Sequence, residues 1–226
     1  LQNMPLFKNG GVEVQDEGSQ LLAQIVGAKR GEMVVDFCAG AGGKTLALGV
    51  AMRNAGRLYA FDVSERRLAK MKPRLARSGL SNVHPIQIAH ERDARIKRLA
   101  GKADRVLVDS PCSGLGTLRR NPDLKWRQTS ETIAEMAQKQ REILESAARL
   151  VKPGGRLVYA TCSLLDDENE KIVSDFLAKD GRFALVPMQK VLEESKVDLE
   201  MGDFLKLLPN RHQTDGFFAA VIERKE

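Results

Sequence analysis

Two cysteines stand in short polar motifs, each directly after an apolar run of the chain. Cys112 lies in DSPCSG, after the run 105–108, and Cys162 lies in ATCS, after the run 157–160. A lone cysteine is most often a small buried hydrophobe, but as a thiolate it is also a nucleophile. If both runs are neighbouring parallel strands, both thiols lie where an open α/β sheet keeps its ligand site. Two equivalent placements favour a functional role.

The elements that would position these thiols alternate between strands and helices. Short apolar runs predict strands at 33–37, 58–61, 83–89, 105–108 and 157–160. Helical spacing predicts helices at 46–52, from Ser64 onwards, at 131–151 and at 166–179. Pro73 is expected to kink or shorten the second of these helices. With a terminal antiparallel pair at 204–208 and 216–222, the pattern indicates one doubly wound α/β domain.

The first predicted strand runs into a glycine turn, CAGAGGKT at 38–45, which resembles the end of a phosphate-binding loop. That loop needs a glycine where Cys38 stands. The dinucleotide pattern G-x-G-x-x-G, started at Gly40, needs its third glycine where Thr45 stands. Both patterns fail, but Asp62 ends the second strand about 20 residues later, where a carboxylate binds ribose hydroxyls. A glycine turn with such a carboxylate indicates an adenosine-type cofactor rather than a triphosphate.

The composition is that of an ordinary globular chain with a basic surface. Of 226 residues, 42% are hydrophobic and 29% are charged, and the formal net charge of +6 favours a polyanionic partner such as nucleic acid. Three cysteines without a C-x-x-C pair and three scattered histidines argue against a disulfide scaffold and a metal centre. They suit a reducing cytoplasm. No apolar run approaches the roughly 20 residues of a membrane span. The chain starts at Leu1 rather than methionine, which is consistent with a piece of a longer protein.

Three motifs together resemble one family. DSPCSG at 109–114, GTLRRNPD at 116–123 and ATCS at 160–163 closely resemble the RNA cytosine-5 methyltransferases, among which bacterial members acting on 16S ribosomal RNA are the most similar. The resemblance runs from VQDEGSQL at 14–21 to DGFFAA at 215–220. It implies an α/β, Rossmann-like class I S-adenosylmethionine-dependent methyltransferase fold, with a mostly parallel seven-stranded sheet and an antiparallel C-terminal strand.

The resemblance also implies a domain organisation. A single catalytic domain would cover 1–226, with an N-terminal segment at 1–30 and the cofactor-binding and catalytic core at 31–226. Such methyltransferases commonly carry a separate RNA-binding domain, for which this chain has no room, so its own affinity for RNA is expected to be weak or nonspecific. We expect a cytoplasmic monomer that binds RNA and neither a membrane nor a metal.

Catalytic roles follow from the same resemblance. Cys162 would add to C6 of the cytosine, which makes C5 nucleophilic enough to accept a methyl group, a case of covalent catalysis. Cys112 would assist release of the product. Asp109 would hydrogen-bond the ring near N3 and lie close to the methionine end of the cofactor.

The implied cofactor site uses the glycine turn and two acids. S-adenosylmethionine would bind Cys38, Ala39, Gly40, Ala41, Gly42, Gly43 and Lys44. Its ribose would lie on Asp62, and its adenine would face Asp93, with Glu91 as the competitor for that place. The sequence departs from the family at Ala41, where proline is usual. Three interpretations of Lys44 stay open: the side chain supports the cofactor cleft, it contacts the RNA backbone, or it is a solvated lysine at the start of a helix.

A basic segment just after Cys112 is the candidate contact with RNA. Its residues are Arg119, Arg120, Lys125, Trp126 and Arg127. Basic side chains bind phosphates, and an aromatic ring stacks on a base that is splayed out of its helix. The alternative for Trp126 is packing in the core. Beside 16S rRNA, three other functions stay open: methylation of tRNA, a noncatalytic RNA-binding or ribosome-assembly factor, and a nucleotidase.

Overall fold

The computed structural model describes residues 3–226. Within them, one sheet contains the strands β1 (Met33–Asp36), β2 (Arg57–Asp62), β3 (Val83–Gln87), β4 (Ala103–Asp109), β5 (Val151–Thr161), β6 (Phe183–Val186), β7 (Leu205–Leu207) and β8 (Phe217–Arg224). Their spatial order is β3-β2-β1-β4-β5-β8-β6, and β7 pairs with β8 as well. β1 to β5 run parallel, whereas β8 is antiparallel to β5, β6 and β7.

The expected fold class is confirmed, with eight strands in residues 3–226 where seven were expected. The additional strand is β6, whose four residues FALV are too few to show a period. The predicted terminal pair is present as β7 and β8, which pair from Leu205 opposite Ala219 to Leu207 opposite Phe217. β6 and β7 therefore share one side of β8, each along a different part of its length.

Helices cover both faces of the sheet. They are α1 (Pro5–Lys8), α2 (Glu17–Ile25), α3 (Gly43–Ala51), α4 (Glu65–Ser78), α5 (Ala94–Lys97), α6 (Leu124–Arg127), α7 (Ser130–Ala148), α8 (Glu170–Lys179), α9 (Met188–Glu194) and α10 (Pro209–His212). Residues of α2, α3, α4 and α9 belong to the apolar core on one face, and residues of α5, α7 and α8 to the core on the other. In the strands, alternate residues serve the two cores, as Leu107 and Val108 do.

Helix α4 continues through Pro73 to Ser78, so the expected shortening is wrong. Leu68 and Met71 of this helix are buried against the sheet, and that packing outweighs the hydrogen bond that proline removes. The consequence reaches the glycine turn, because Arg74, one residue beyond the proline, donates from Nη1 to the carbonyl of Ala41 at 2.6 Å.

The carboxyl ends of four parallel strands meet at one edge of the sheet. Asp36, Asp62 and Asp109 are the last residues of β1, β2 and β4, and Cys162 directly follows β5. The topology therefore collects acids and thiols far apart in the chain at the place where such sheets bind ligands. No helix in residues 3–226 is long and apolar enough to cross a membrane.

Candidate active site

A cavity of about 490 Å³ opens at this edge of the sheet. Its volume lies within the range of small-molecule sites, roughly 300–1,000 Å³. The lining includes Gln15, Ser19, Asp36, Cys38, Ala39, Gly40, Ala41, Gly43, Lys44, Asp62, Glu91, Asp109, Cys112, Lys139 and Cys162. The structure thus brings the predicted glycine turn, both predicted acids at the strand ends and both cysteines of the polar motifs around one cavity.

The glycine turn is fixed by a hydrogen bond to Asp62 and by close packing against Met71. Asp62 is buried, and its Oδ2 accepts a hydrogen bond from the backbone N–H of Gly40 at 2.8 Å. Gly42 has a φ of +87°, and a Cβ there would lie 2.5 Å from Cγ of Met71, so only glycine fits. Although proline is usual at Ala41 in the family, the contact from Arg74 holds the turn at this residue.

Asp36 is a site residue that the sequence did not reveal. Its Oδ2 accepts a hydrogen bond from the hydroxyl of Thr45 at 2.7 Å, whereas Oδ1 has no partner among residues 3–226. Burial raises the pKa of Asp36 to about 7, against the lowering effect of the Thr45 hydroxyl. A buried acceptor without a partner in the wall of a cavity is satisfied by a ligand that donates a hydrogen bond.

Asp93 does not take the place expected for it. Its carboxylate accepts from the backbone N–H of Ala89 and of Arg95, both at 2.9 Å, and caps the start of α5. Glu91, the competitor, lines the cavity and forms an ion pair with Lys139 of α7 at 2.6 Å, which lowers the pKa of this acid. The geometry therefore favours Glu91 as the acid facing the far end of the cofactor.

The thiols of Cys112 and Cys162 touch, with 3.4 Å between their Sγ atoms. The mutual hydrogen bond and burial raise the pKa of Cys112 well above its usual value, and the same hydrogen bond lowers the pKa of Cys162, although burial opposes it. Either sulfur can donate across this contact, and the opposite pKa shifts favour Cys112 as the donor and Cys162 as the thiol that loses its proton more readily. Cys38 also borders the cavity, but burial raises the pKa of its thiol well above the ordinary range.

Lys44 lies in the cavity wall rather than in solvent. Its Nζ forms an ion pair with Oδ2 of Asp109 at 2.8 Å and lies 5.7 Å from the ring centre of Phe217. Burial lowers the pKa of Lys44, but the Asp109 carboxylate outweighs this effect and the pKa is raised. The positive charge also helps to lower the pKa of Cys162. Of the three places left open for Lys44, the structure supports the cleft.

This arrangement predicts that Lys44→Met raises the pKa of Cys162. The change removes a cation and leaves the charge of Asp109, which also raises the pKa of this thiol, without its partner. Because the thiolate forms as the pH rises through the pKa, the variant needs a higher pH for the same thiolate fraction. The rate of Cys162 alkylation by iodoacetamide against pH, read by peptide mapping, should move to higher pH. Lys72→Met, on the exposed face of α4, is the control, and an unmoved profile in Lys44→Met would contradict the assignment.

The first two of the three arginines in the basic segment form ion pairs within the protein. Arg119 and Arg120 each bind Asp215, at 2.5 and 2.8 Å, and each also binds Oδ2 of Asp16, at 3.2 and 2.9 Å. Asp16 also caps α2 by accepting from the N–H of Gly18. These side chains were expected at RNA phosphates, but the structure uses them to join the start of α2 to the segment before β8.

The other part of the basic segment is exposed. Trp126 is 80% exposed on α6, so the alternative of core packing is wrong. Lys125 places its Nζ 4.7 Å from the centre of this indole ring, and Arg127 forms an ion pair with Asp123 at 2.6 Å on the surface. An exposed aromatic ring beside basic groups is a typical contact for single-stranded nucleic acid.

No group of three or more potential metal ligands among histidine, cysteine, aspartate and glutamate occurs in residues 3–226.

The family of the chain is decided by a comparison with family models. The model described as 16S rRNA methyltransferase RsmB/F matches residues 23–223. The chain belongs to the RsmB/F family. The resemblance of its cysteine motifs is thereby confirmed at the level of the family.

Individual members of the RsmB/F family and their structural relatives agree with this assignment. The probable ribosomal RNA small subunit methyltransferase B of Synechocystis sp. is 38% identical over 224 residues, 99% of this chain and 50% of the relative. The corresponding Bacillus subtilis protein is 36% identical and covers 97% of this chain and 49% of its own. The structure of NSun6 from Pyrococcus horikoshii with SFG has a TM-score of 0.85 at 29% identity, covering 100% of this chain and 56% of that one. The chain spans about half the length of the curated relatives it matches.

Proposed function

We propose that this chain transfers a methyl group from S-adenosylmethionine to C5 of a cytosine in RNA, with 16S rRNA as the substrate. The observation that carries the proposal is the pair of touching thiols at the rim of the cavity, one of them with a lowered pKa. A second thiol in contact with the nucleophile suits a reaction in which a covalent intermediate forms and is then resolved. The names of the curated relatives support ribosomal RNA of the small subunit as the substrate.

S-adenosylmethionine is the cofactor, and the residues present fit it. The cavity has the volume of a small-molecule site, and the free Oδ1 of buried Asp36 offers an acceptor in its wall. The turn at 38–44, Asp62 and Glu91 would hold the cofactor, in the order methionine end, ribose and adenine. When bound, it supplies an electrophilic methyl group on a sulfonium. The structurally similar NSun6 was solved with SFG, an analogue of this cofactor, which supports S-adenosylmethionine as the cofactor of this chain.

The side chains of the site have distinct tasks in this proposal. The thiolate of Cys162 adds to C6 of the cytosine, so that C5 becomes the nucleophile. Asp109, oriented by Lys44 at 2.8 Å, hydrogen-bonds the ring near N3 and stabilises the adduct. A water molecule then takes the proton of C5, the C5–H electron pair forms the C5–C6 double bond, and the electron pair of the breaking C6–S bond returns to Cys162. The protonated Cys112, 3.4 Å away, donates a hydrogen bond to the leaving sulfur.

The test is methylation of defined RNA by the full-length protein that contains this chain. Unmodified 16S rRNA and unmodified tRNA are incubated with labelled S-adenosylmethionine, and 5-methylcytosine is mapped. We expect label in 16S rRNA at a defined cytosine. Label in tRNA alone would replace the proposed substrate, and absence of label in every RNA would overturn the enzymatic function.

Trp126→Ala is expected to weaken RNA binding by about 1–3 kcal/mol, because stacking of one base on an aromatic ring is worth that much. Affinity for single-stranded RNA is measured by fluorescence anisotropy at fixed salt. Affinity for the cofactor should stay as in the parent chain, since α6 does not line the cavity. Val50→Ala, which removes another exposed apolar side chain, on α3, is the matched control. Equal RNA affinity in Trp126→Ala and the parent would remove this indole from the interface.

A further inference from the structure

A buried carboxylate lies directly behind the two thiols. Glu168 ends a short 3-10 turn between β5 and α8 and is fully buried. Its side chain accepts four hydrogen bonds, from the N–H of Ser113 at 2.8 Å, the hydroxyl of Ser113 at 2.5 Å, the side-chain amide of Gln140 at 3.0 Å and the hydroxyl of Ser163. The two serine hydroxyls also lie 3.1 Å from each other.

No lysine, arginine or histidine of residues 3–226 forms an ion pair with Glu168, whose side-chain partners are neutral donors. Burying a carboxylate in this way is costly, and only well-aligned donors make it tolerable. An apolar residue would fill the same space without that cost. We therefore attribute the presence of Glu168 to the way in which it fixes the positions of its hydrogen-bond donors.

The donors are the immediate neighbours of the thiols. Ser113 follows Cys112 and Ser163 follows Cys162, so one carboxylate binds both loops. We propose that Glu168 is a positioning residue that holds the thiol of Cys112 against that of Cys162. Its consequence for catalysis rests on the proposed function.

The two loops depend on Glu168 to different degrees. Cys162 continues β5, and its loop has a further anchor in Asn169, which accepts from the hydroxyl of Thr161 at 2.6 Å and donates to the carbonyl of Ser163 at 3.0 Å. Beside Cys112, Gln140 donates to the carbonyl of Pro111 and Gln128 to the carbonyl of Ser113, both at 2.9 Å. Glu168, however, accepts two hydrogen bonds from Ser113 and only one from Ser163. Loss of Glu168 should therefore displace Cys112 more than Cys162.

A difference between two steps of the reaction follows from this asymmetry. In Glu168→Ala, resolution of the covalent RNA adduct should slow by roughly 10- to 100-fold, because a displacement of the Cys112 thiol by about 1 Å has an effect of that size. Adduct formation by Cys162 should change much less. Glu168→Gln keeps an acceptor for the N–H of Ser113 but offers fewer acceptors to the hydroxyls, so its effect should be smaller. Asp167→Asn, an exposed acid of the same turn, should behave like the parent. Circular dichroism shows whether each variant is folded, and Glu168→Gln carries the test if the alanine variant is not.

Bridging of the thiols by dibromobimane, a bifunctional thiol reagent, measures their proximity without any RNA. The parent chain and Asp167→Asn should form the Cys112–Cys162 bridge readily, and Glu168→Ala should form it several-fold more slowly. Equal bridging in all folded variants, or equal slowing of adduct formation and resolution, would overturn the proposal. If no RNA is methylated by the parent, the proposed function fails, whereas the bridging rates still decide whether Glu168 positions the thiols.

Discussion

Replacing Cys162 with alanine is expected to lower the rate of methyl transfer to RNA by on the order of 10⁴-fold or more. C5 of cytosine is too electron-poor to attack a methyl group until a nucleophile has added to C6. Of the touching pair, Cys162 has the lowered pKa, whereas the mutual hydrogen bond and burial raise the pKa of Cys112. Cys38, the third thiol at the cavity, also has a raised pKa and so cannot replace Cys162. Single-turnover transfer of label from S-adenosylmethionine to RNA measures the loss.

Two controls separate loss of the nucleophile from loss of the fold. Leu164→Ala changes an exposed side chain two residues further on and should keep transfer close to that of the parent. Cys162→Ala itself should still bind the cofactor, as titration with S-adenosylhomocysteine would show. Transfer at the parental rate in a Cys162→Ala variant that binds cofactor normally would mean that the nucleophile has been assigned wrongly.

Replacing Cys112 with alanine is expected to trap the RNA on the protein. Formation of the bond between Cys162 and C6 does not need the second thiol. When Cys162 leaves as a thiolate, however, the variant lacks the hydrogen bond that Cys112, with its Sγ 3.4 Å away, would donate to it. A charge-assisted hydrogen bond contributes about 1.5–3 kcal/mol, so release should slow by roughly 10- to 150-fold. A complex of RNA and protein that survives denaturing electrophoresis is the measurement.

The double variant Cys112→Ala, Cys162→Ala should form no such complex, because the adduct depends on the remaining thiol. Trapping that persisted in the double variant would point to another attachment site. Normal turnover without any trapped complex in Cys112→Ala would exclude a role of Cys112 in release, and it would leave the contact between the two thiols without a catalytic purpose.

The sequence predicted those parts of the site that depend on local pattern. A strand followed by glycines, an acid at the end of the next strand and two cysteines just past strand ends are all visible as short motifs, and parallel topology brings them together. The same reasoning did not reveal Asp36. In the sequence it is one more residue of an apolar run, and only the fold shows that its carboxyl group is buried in the cavity wall with one oxygen that has no partner among residues 3–226.

The roles of some candidate residues depend on contacts with residues far away in the sequence, and such contacts cannot be predicted from sequence motifs. The pairing of Arg119 and Arg120 with Asp16 and Asp215 joins positions about a hundred residues apart, and the chain gives no local sign of it. Asp93 fits the family motif by its neighbours, yet its carboxylate is used to cap α5. These side chains were assigned from charge and motif alone, whereas the fold decided which partners they meet.

β8, which follows the other seven strands in residues 3–226, lies inside the sheet, between β5 on one side and β6 with β7 on the other. Just before it, the N–H of Gly216 donates to the carbonyl of Gly116 at 2.7 Å, and the N–H of Gly116 donates to the carbonyl of Cys162 at 2.8 Å. A chain emerging from the ribosome presents its N-terminal part first. Until residues 216–224 have emerged, β5 has an open edge and the two cysteine loops lack this support. The reactive thiols therefore reach their working arrangement only after residues 216–224 have emerged, so a shorter nascent chain carries both cysteines before they can work as a pair.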